Sequence, residues 1–218
     1  MPSLDAILPH LPGFVLALTR ITGLFLFLPM LSGAMVPRKV IALFALALAA
    51  VVYPTISHSS SVPARMDIFA LAPIMVSELA IGAVIGIVAA VPLMTAQMAG
   101  LIMGQQMGLG LASVFNPSIE IEGDNIGQML FYVAISGFLI AGGLEVLFGS
   151  LISTFARVPL GEFVFTEEPL ALLVGVLKSG FEIALRVAMP VLVILFMENL
   201  AMGFIMKTVP SLNIMTFG

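Results

Sequence analysis

Cysteine is absent from the chain, which excludes disulfides, thiolate catalysis and cysteine-ligated metal. Histidine is nearly so. His10 and His58 are the only two, and both fall in expected loops. A metal site, or a serine nucleophile with a histidine base, would have to be built from almost nothing. The HExxH, GxSxG, phosphate-loop and dinucleotide-binding patterns do not occur. No enzyme activity, cofactor or metal is therefore expected. Charge is scarce too, at 9% of 218 residues, against about 25% in soluble domains. No basic patch stands out, so nucleic acid is not an expected partner. Asp5, with no Lys or Arg, precedes the first apolar run, which argues against a cleaved signal peptide.

What fills the chain is hydrophobic residues, 61% of the total, with a mean hydropathy of +1.20. That composition predicts an all-α integral membrane protein, in a single domain over residues 1–218. The first apolar run, 11–36, is interrupted only by Arg20 and exceeds the roughly 20 residues a span needs. Pro37-Arg38-Lys39 ends it and suggests a cytoplasmic turn. The second run, 40–53, stops at Pro54. Its length of roughly 21 Å falls short of the hydrocarbon thickness, so it reads as re-entrant, bilayer-thinning or shielded by protein. The third, from Ile68 to Pro92, carries Glu78 and the small-residue pair Gly82 and Gly86, with a kink expected at Pro92. The fourth, 126–152, contains Glu145. The last, 170–206, contains Lys178, Glu182, Arg186 and Glu198 and is expected to divide at Pro190.

Intramembrane charges are costly and must pair or face water. Glu182 and Arg186 sit at i, i+4 in the order that favours an internal salt bridge. Arg20, Glu78, Glu145 and Glu198 are either functional groups at depth or neutralise one another between helices, with Arg20 meeting one of the glutamates, and the sequence does not choose the partner. Helices this short, broken or charged point to burial in protein or beside water. The expected fold is thus a set of apolar helical hairpins, with Pro/Gly-broken helices built to pack in an assembly.

The stretch 98–125 matches neither neighbouring run. Gly100, Gly104 and Gly108 share one helix face, which serves close packing or local unwinding. Met103 and Met107 are either core filler or a deformable seal around a narrow passage. Gln105 and Gln106 add polar contacts, and Asn116-Pro117 ends the helical pattern.

Several spaced motifs resemble one family. They are Arg20-Ile21-Thr22-Gly23, Val36-Pro37-Arg38-Lys39-Val40, Glu78-Leu79-Ala80-Ile81-Gly82, Gly104-Gln105-Gln106-Met107-Gly108 with Asn116-Pro117, Val158-Pro159-Leu160-Gly161, Ala188-Met189-Pro190, Asn199-Leu200-Ala201-Met202-Gly203 and Pro210-Ser211-Leu212-Asn213. In order and spacing they resemble the FliR family of flagellar export-gate proteins and its virulence counterpart, SctT. The resemblance implies a non-enzymatic subunit of the type III export gate, in the bacterial inner membrane and the flagellar basal body. It implies a helical hetero-oligomer with FliP and FliQ homologues, a FlhB-type switch protein docked beside it, and unfolded proteins passing through. It places a plug loop at residues 106–122, with Met103, Gln105, Gln106, Met107, Gly108, Gly110, Phe115, Asn116 and Pro117 in or beside the seal. Family members usually continue for another hydrophobic segment after the Pro-x-x-Asn motif, so a C-terminal part is expected beyond Gly218. The alternative is a small-solute secondary transporter or channel, with helices broken at Pro92 and Pro190 and charges at depth. An intramembrane enzyme using Glu78, Glu145 and Glu198 is the third reading.

Overall fold

Every regular element among the described residues of the computed structural model (8–32, 36–56, 68–109, 125–163 and 167–208) is helical. In lipid a helix satisfies its own backbone, which is why so apolar a chain takes this form. A 3-10 turn, Leu8–His10, leads into α1, Leu11–Phe27. There follow α2 (Pro29–Ser32), α3 (Arg38–Ile56), α4 (Ile68–Gln106), α5 (Asn125–Ile140), α6 (Gly143–Arg157) and α7 (Glu167–Thr208).

Proline breaks fewer helices than expected. α3 passes through Pro54 and reaches 19 residues, roughly 28 Å, so the second run is not a short helix. Pro54 lies in its last turn, where the lost N–H costs a single bond. α4 continues through Pro73 and Pro92, and α7 runs undivided through Pro190. In helices of 39 and 42 residues, one missing hydrogen bond leaves the flanking turns intact.

The breaks fall elsewhere. The first run stops at Phe27, because Leu28 before Pro29 is extended at φ −81° and ψ 111°, the region a residue preceding proline prefers. The fourth run breaks at Gly142, which holds φ +75° and separates α5 from α6 with a 67° bend. Among the described residues, three helices are long and apolar enough to cross a membrane, α3, α4 from Leu71, and α7, and the bent α5–α6 pair adds a fourth if counted as one span.

The chain packs as two compact units, Met1–Leu93 with Ile135–Leu177, and Met94–Ala134 with Lys178–Gly218. In the first, α1 packs along α3. Leu16, Ala17, Ile21, Leu24 and Phe25 of α1 meet the stripe Ala45, Ala49 and Val52 of α3 and the stripe Leu147, Leu151 and Phe155 of α6. Phe25, Phe44 and Phe148 form a ring cluster with centroids 5.5 to 6.3 Å apart, within the range of favourable aromatic contact. In the second unit, Ala99 and Met103 of α4 pack with Ala184 and Ala188 of α7, flanked by Ile126 and Leu130 of α5.

Candidate functional site

Arg20 sits in the middle of α1 with no exposure, and Glu78 of α4 is equally buried. Nε of Arg20 donates to Oε2 of Glu78 at 2.5 Å. Both terminal nitrogens donate to the carbonyl of Val158, each at 3.1 Å, and Nη1 reaches Oγ1 of Thr154 at 3.4 Å. The guanidinium carbon lies 4.4 Å from the centroid of the Phe155 ring, the geometry of a cation–π contact. The other oxygen of Glu78 accepts the backbone N–H of Gly161 at 2.9 Å.

The loop that supplies two of these partners follows from local sequence. α6 ends at Arg157, and Val158 turns extended, φ −127° and ψ 91°. The N–H of Glu162 then reaches the carbonyl of Pro159 at 3.3 Å, with Gly161 at φ +81°. That is the third position of the turn, where type II turns require positive φ. Four segments therefore close on one charge pair: α1, α4, the end of α6 and the turn after it. A buried network with its donors and acceptors matched rigidifies the packing around it. Its role is to fasten helices.

Glycine lets the backbones come close enough for this. Gly82 and Gly86 lie one and two turns beyond Glu78. A Cβ on Gly82 would overlap the Arg20 carbonyl, and one on Gly86 would lie 2.6 Å from the Leu24 carbonyl. From the other side, a Cβ on Gly23 would overlap the Leu79 carbonyl. α1 and α4 thus touch main chain to main chain beside the ion pair, in the manner of small-residue helix contacts. In the second unit Gly100 abuts the backbone of Gly127.

The end of α4 is built separately. The N–H of Leu109 bonds the carbonyl of Gly104, and that of Gly108 bonds the carbonyl of Gln105, both at 3.1 Å. With Gly108 at φ +75°, this is the paired bonding of a Schellman cap. The three-glycine ladder therefore has divided roles: Gly100 packs, Gly104 is buried, and Gly108 ends the helix. The two methionines part company as well. Met103 is a core residue of the second unit, whereas Met107 is half exposed beside the exposed Gln105 and Gln106. Gly110, Phe115, Asn116 and Pro117 lie outside the described residues.

Glu145, Glu182, Arg186 and Glu198 are all exposed on this chain. The buried positions of α7 are Gly180, Ala184 and Ala188, and Glu182 and Arg186 point away from that stripe. Arg20–Glu78 is the ion pair found among the described residues. The expected Glu182–Arg186 bridge does not form on this chain. Sequence reasoning missed Gly23, Gly127, Thr154, Phe155 and the Val158–Gly161 turn as contact-makers. The signals available were the place of Gly23 and Val158–Gly161 in the spaced motifs and the Pro159–Gly161 spacing straight after an apolar run, a turn signature.

Taken together, these features define an all-α integral membrane protein. It is fastened internally by one buried charge cluster and leaves wide apolar and charged helix faces uncovered. The chain belongs to the bacterial export proteins, family 1, whose family model matches residues 11–218. Flagellar biosynthetic protein FliR of Bacillus subtilis (strain 168) is 27% identical over 218 residues, which cover 99% of this chain and 83% of that protein. Yop proteins translocation protein T of Yersinia pestis is 27% identical over 216 residues, covering 96% and 81%. FliR of Escherichia coli (strain K12) is 27% identical over 201 residues, covering 92% and 76%.

Proposed function

We propose that this chain is a non-enzymatic subunit of the type III protein-export gate in the bacterial inner membrane, where it helps form and plug the passage for unfolded substrates. The family match over residues 11–218 carries the reading, since the relatives are named for flagellar biosynthesis and for Yop protein translocation. The helix surfaces support it. Only 17% of the apolar window of α3, and the same share of α7, is buried within this chain. Such faces are ready to pack against neighbouring subunits, here FliP and FliQ homologues, with a FlhB-type switch protein beside them.

The plug is assigned to residues 103–116, continuing toward Glu122. Its support is the way α4 ends. The Schellman cap at Gly108 stops the helix at a defined point, beside the exposed Gln105, Gln106 and Met107. A flexible thioether next to two amides can pack against varied surfaces, which suits a seal that opens and closes.

The test begins with the chain tagged, co-expressed with its chromosomal neighbours, and weighed in mild detergent by native mass spectrometry. A large particle holding one copy of this chain and two other small hydrophobic proteins is expected. A monomer or homo-oligomer would overturn the assignment. Deleting residues 106–122 should then make the closed complex conduct small ions in a planar bilayer, and unchanged conductance would count against the plug.

A further inference from the structure

α7 carries three charges at successive turns, Lys178, Glu182 and Arg186, and all three are exposed. At 100° per residue they lie about 160° round the helix from the buried stripe Gly180, Ala184 and Ala188. Neither the packing of the second unit nor the proposed plug uses them. No ion pair forms among them. Residues 169–177 and 187–197, on either side, contain no charge at all. A cation–anion–cation stripe therefore interrupts an apolar helix on the face its own chain leaves bare. Leu185, Met189 and Phe196 continue that face, and each is about half exposed or more. Charges flanked so closely by apolar surface are retained where a counter-charge or water meets them.

We infer that this face docks one helix of a different protein, which presents two carboxylates flanking a Lys or Arg at four-residue steps. The charge order selects that occupant. A second copy of this chain fails: aligned in register, parallel or antiparallel, it sets like charge on like, and a one-turn shift strands a cation on each copy. An anionic lipid headgroup would suit Lys178 and Arg186, roughly 12 Å apart along the axis, but would face Glu182 with its own sign. A helix with the inverse order pairs all three, and Leu185 and Met189 pack between the pairs as in other helix seams. The inference rests on the export-gate reading and names the surface by which that subunit is held.

Because the chain has no cysteine, single nitroxide labels can be placed on this face without touching its charges, at Leu185→Cys and Met189→Cys. Each labelled chain is prepared alone in lipid nanodiscs and in the co-expressed particle. Relaxation by oxygen reports lipid, and relaxation by a water-soluble nickel chelate reports water. In the particle, both labels should lose access to both agents relative to the chain alone. A particle whose labels keep oxygen access would show lipid on this face, overturning the inference while leaving the export gate standing. Failure of any hetero-particle to form would overturn the gate reading and this surface together. Reversing both cations of the stripe, Lys178→Glu with Arg186→Glu, should weaken association at least about a hundredfold, the scale for uncompensated buried charge. The exchange Lys178→Arg with Arg186→Lys should leave it intact. Undiminished particle yield from the reversed stripe, with the labels still protected, would refute charge matching.

Discussion

Removing the carboxylate of Glu78 tests the fastener directly. In Glu78→Leu the Arg20 guanidinium stays at zero exposure and loses the partner at 2.5 Å. It keeps the Val158 carbonyl, which compensates part of its desolvation but none of its charge. The N–H of Gly161 loses its acceptor at the same time. Breaking a buried pair from one side costs about 3–5 kcal/mol, and we expect the upper half of that range. Arg20→Met breaks the same pair from the other side and should cost about 3 kcal/mol. The double variant leaves only the Val158 carbonyl and the Gly161 N–H unpaired, at about 1–3 kcal/mol each. It should therefore be no worse than Glu78→Leu alone, giving a coupling of at least about 2 kcal/mol. Thermal melting of the purified chain in detergent, followed by circular dichroism, reads this out. At about 2–4 °C per kcal/mol for a chain of this size, Glu78→Leu should lower the midpoint by roughly 8–20 °C. Single variants each shifting the melt by less than a few degrees, or adding without coupling, would refute the claim that this pair holds the helices together.

The glycines supply a contrast within one assay. Gly82→Ala should destabilise by about 1–3 kcal/mol, as expected for overpacking against an unyielding backbone, whereas Gly149→Ala, with nothing within 4 Å of its added Cβ, should stabilise by about 0.5–1 kcal/mol. Equal shifts at the two sites would remove the argument for main-chain contact between α1 and α4. Gly161→Ala should cost about 1–2 kcal/mol through its positive φ, and in a Glu78→Leu background less than in the wild type, because the N–H it positions then has no acceptor. Gly108→Ala should loosen the end of α4 by about 1 kcal/mol, seen as faster amide exchange at Leu109 and Gly108, with the melting midpoint hardly moved.

Much of the class was legible in composition. Scarce charge, absent cysteine and long apolar runs leave an all-α membrane chain as the form in which every backbone group is satisfied. The motif order pointed to the family that the comparison of residues 11–218 shows. The importance of Arg20 and Glu78 was also readable, since a charge at depth needs a counter-charge. Helix boundaries were less so. Pro54 and Pro190 resembled stops but sit inside helices, because a proline costs one bond and long helices have many. Gly142, read in the sequence only as one glycine of the fourth run, holds the left-handed turn that breaks it.

The sequence by itself determined that a charge stands at depth at Arg20 with glutamates at depth that could neutralise it, and that glycines at four-residue spacing allow a close helix approach. Only the tertiary structure decided that the carboxylate is Glu78, that Gly82 and Gly86 approach the main chain at Arg20 and Leu24 while Gly23 approaches that at Leu79, and that Val158 and Gly161 complete the cluster. It also decided that Glu182 and Arg186 face outward. The reason is distance along the chain. Glu78 lies 58 residues from Arg20, and Val158 lies 138. Local spacing specifies which face of a helix a side chain occupies, whereas the face it meets depends on how separate helices pack.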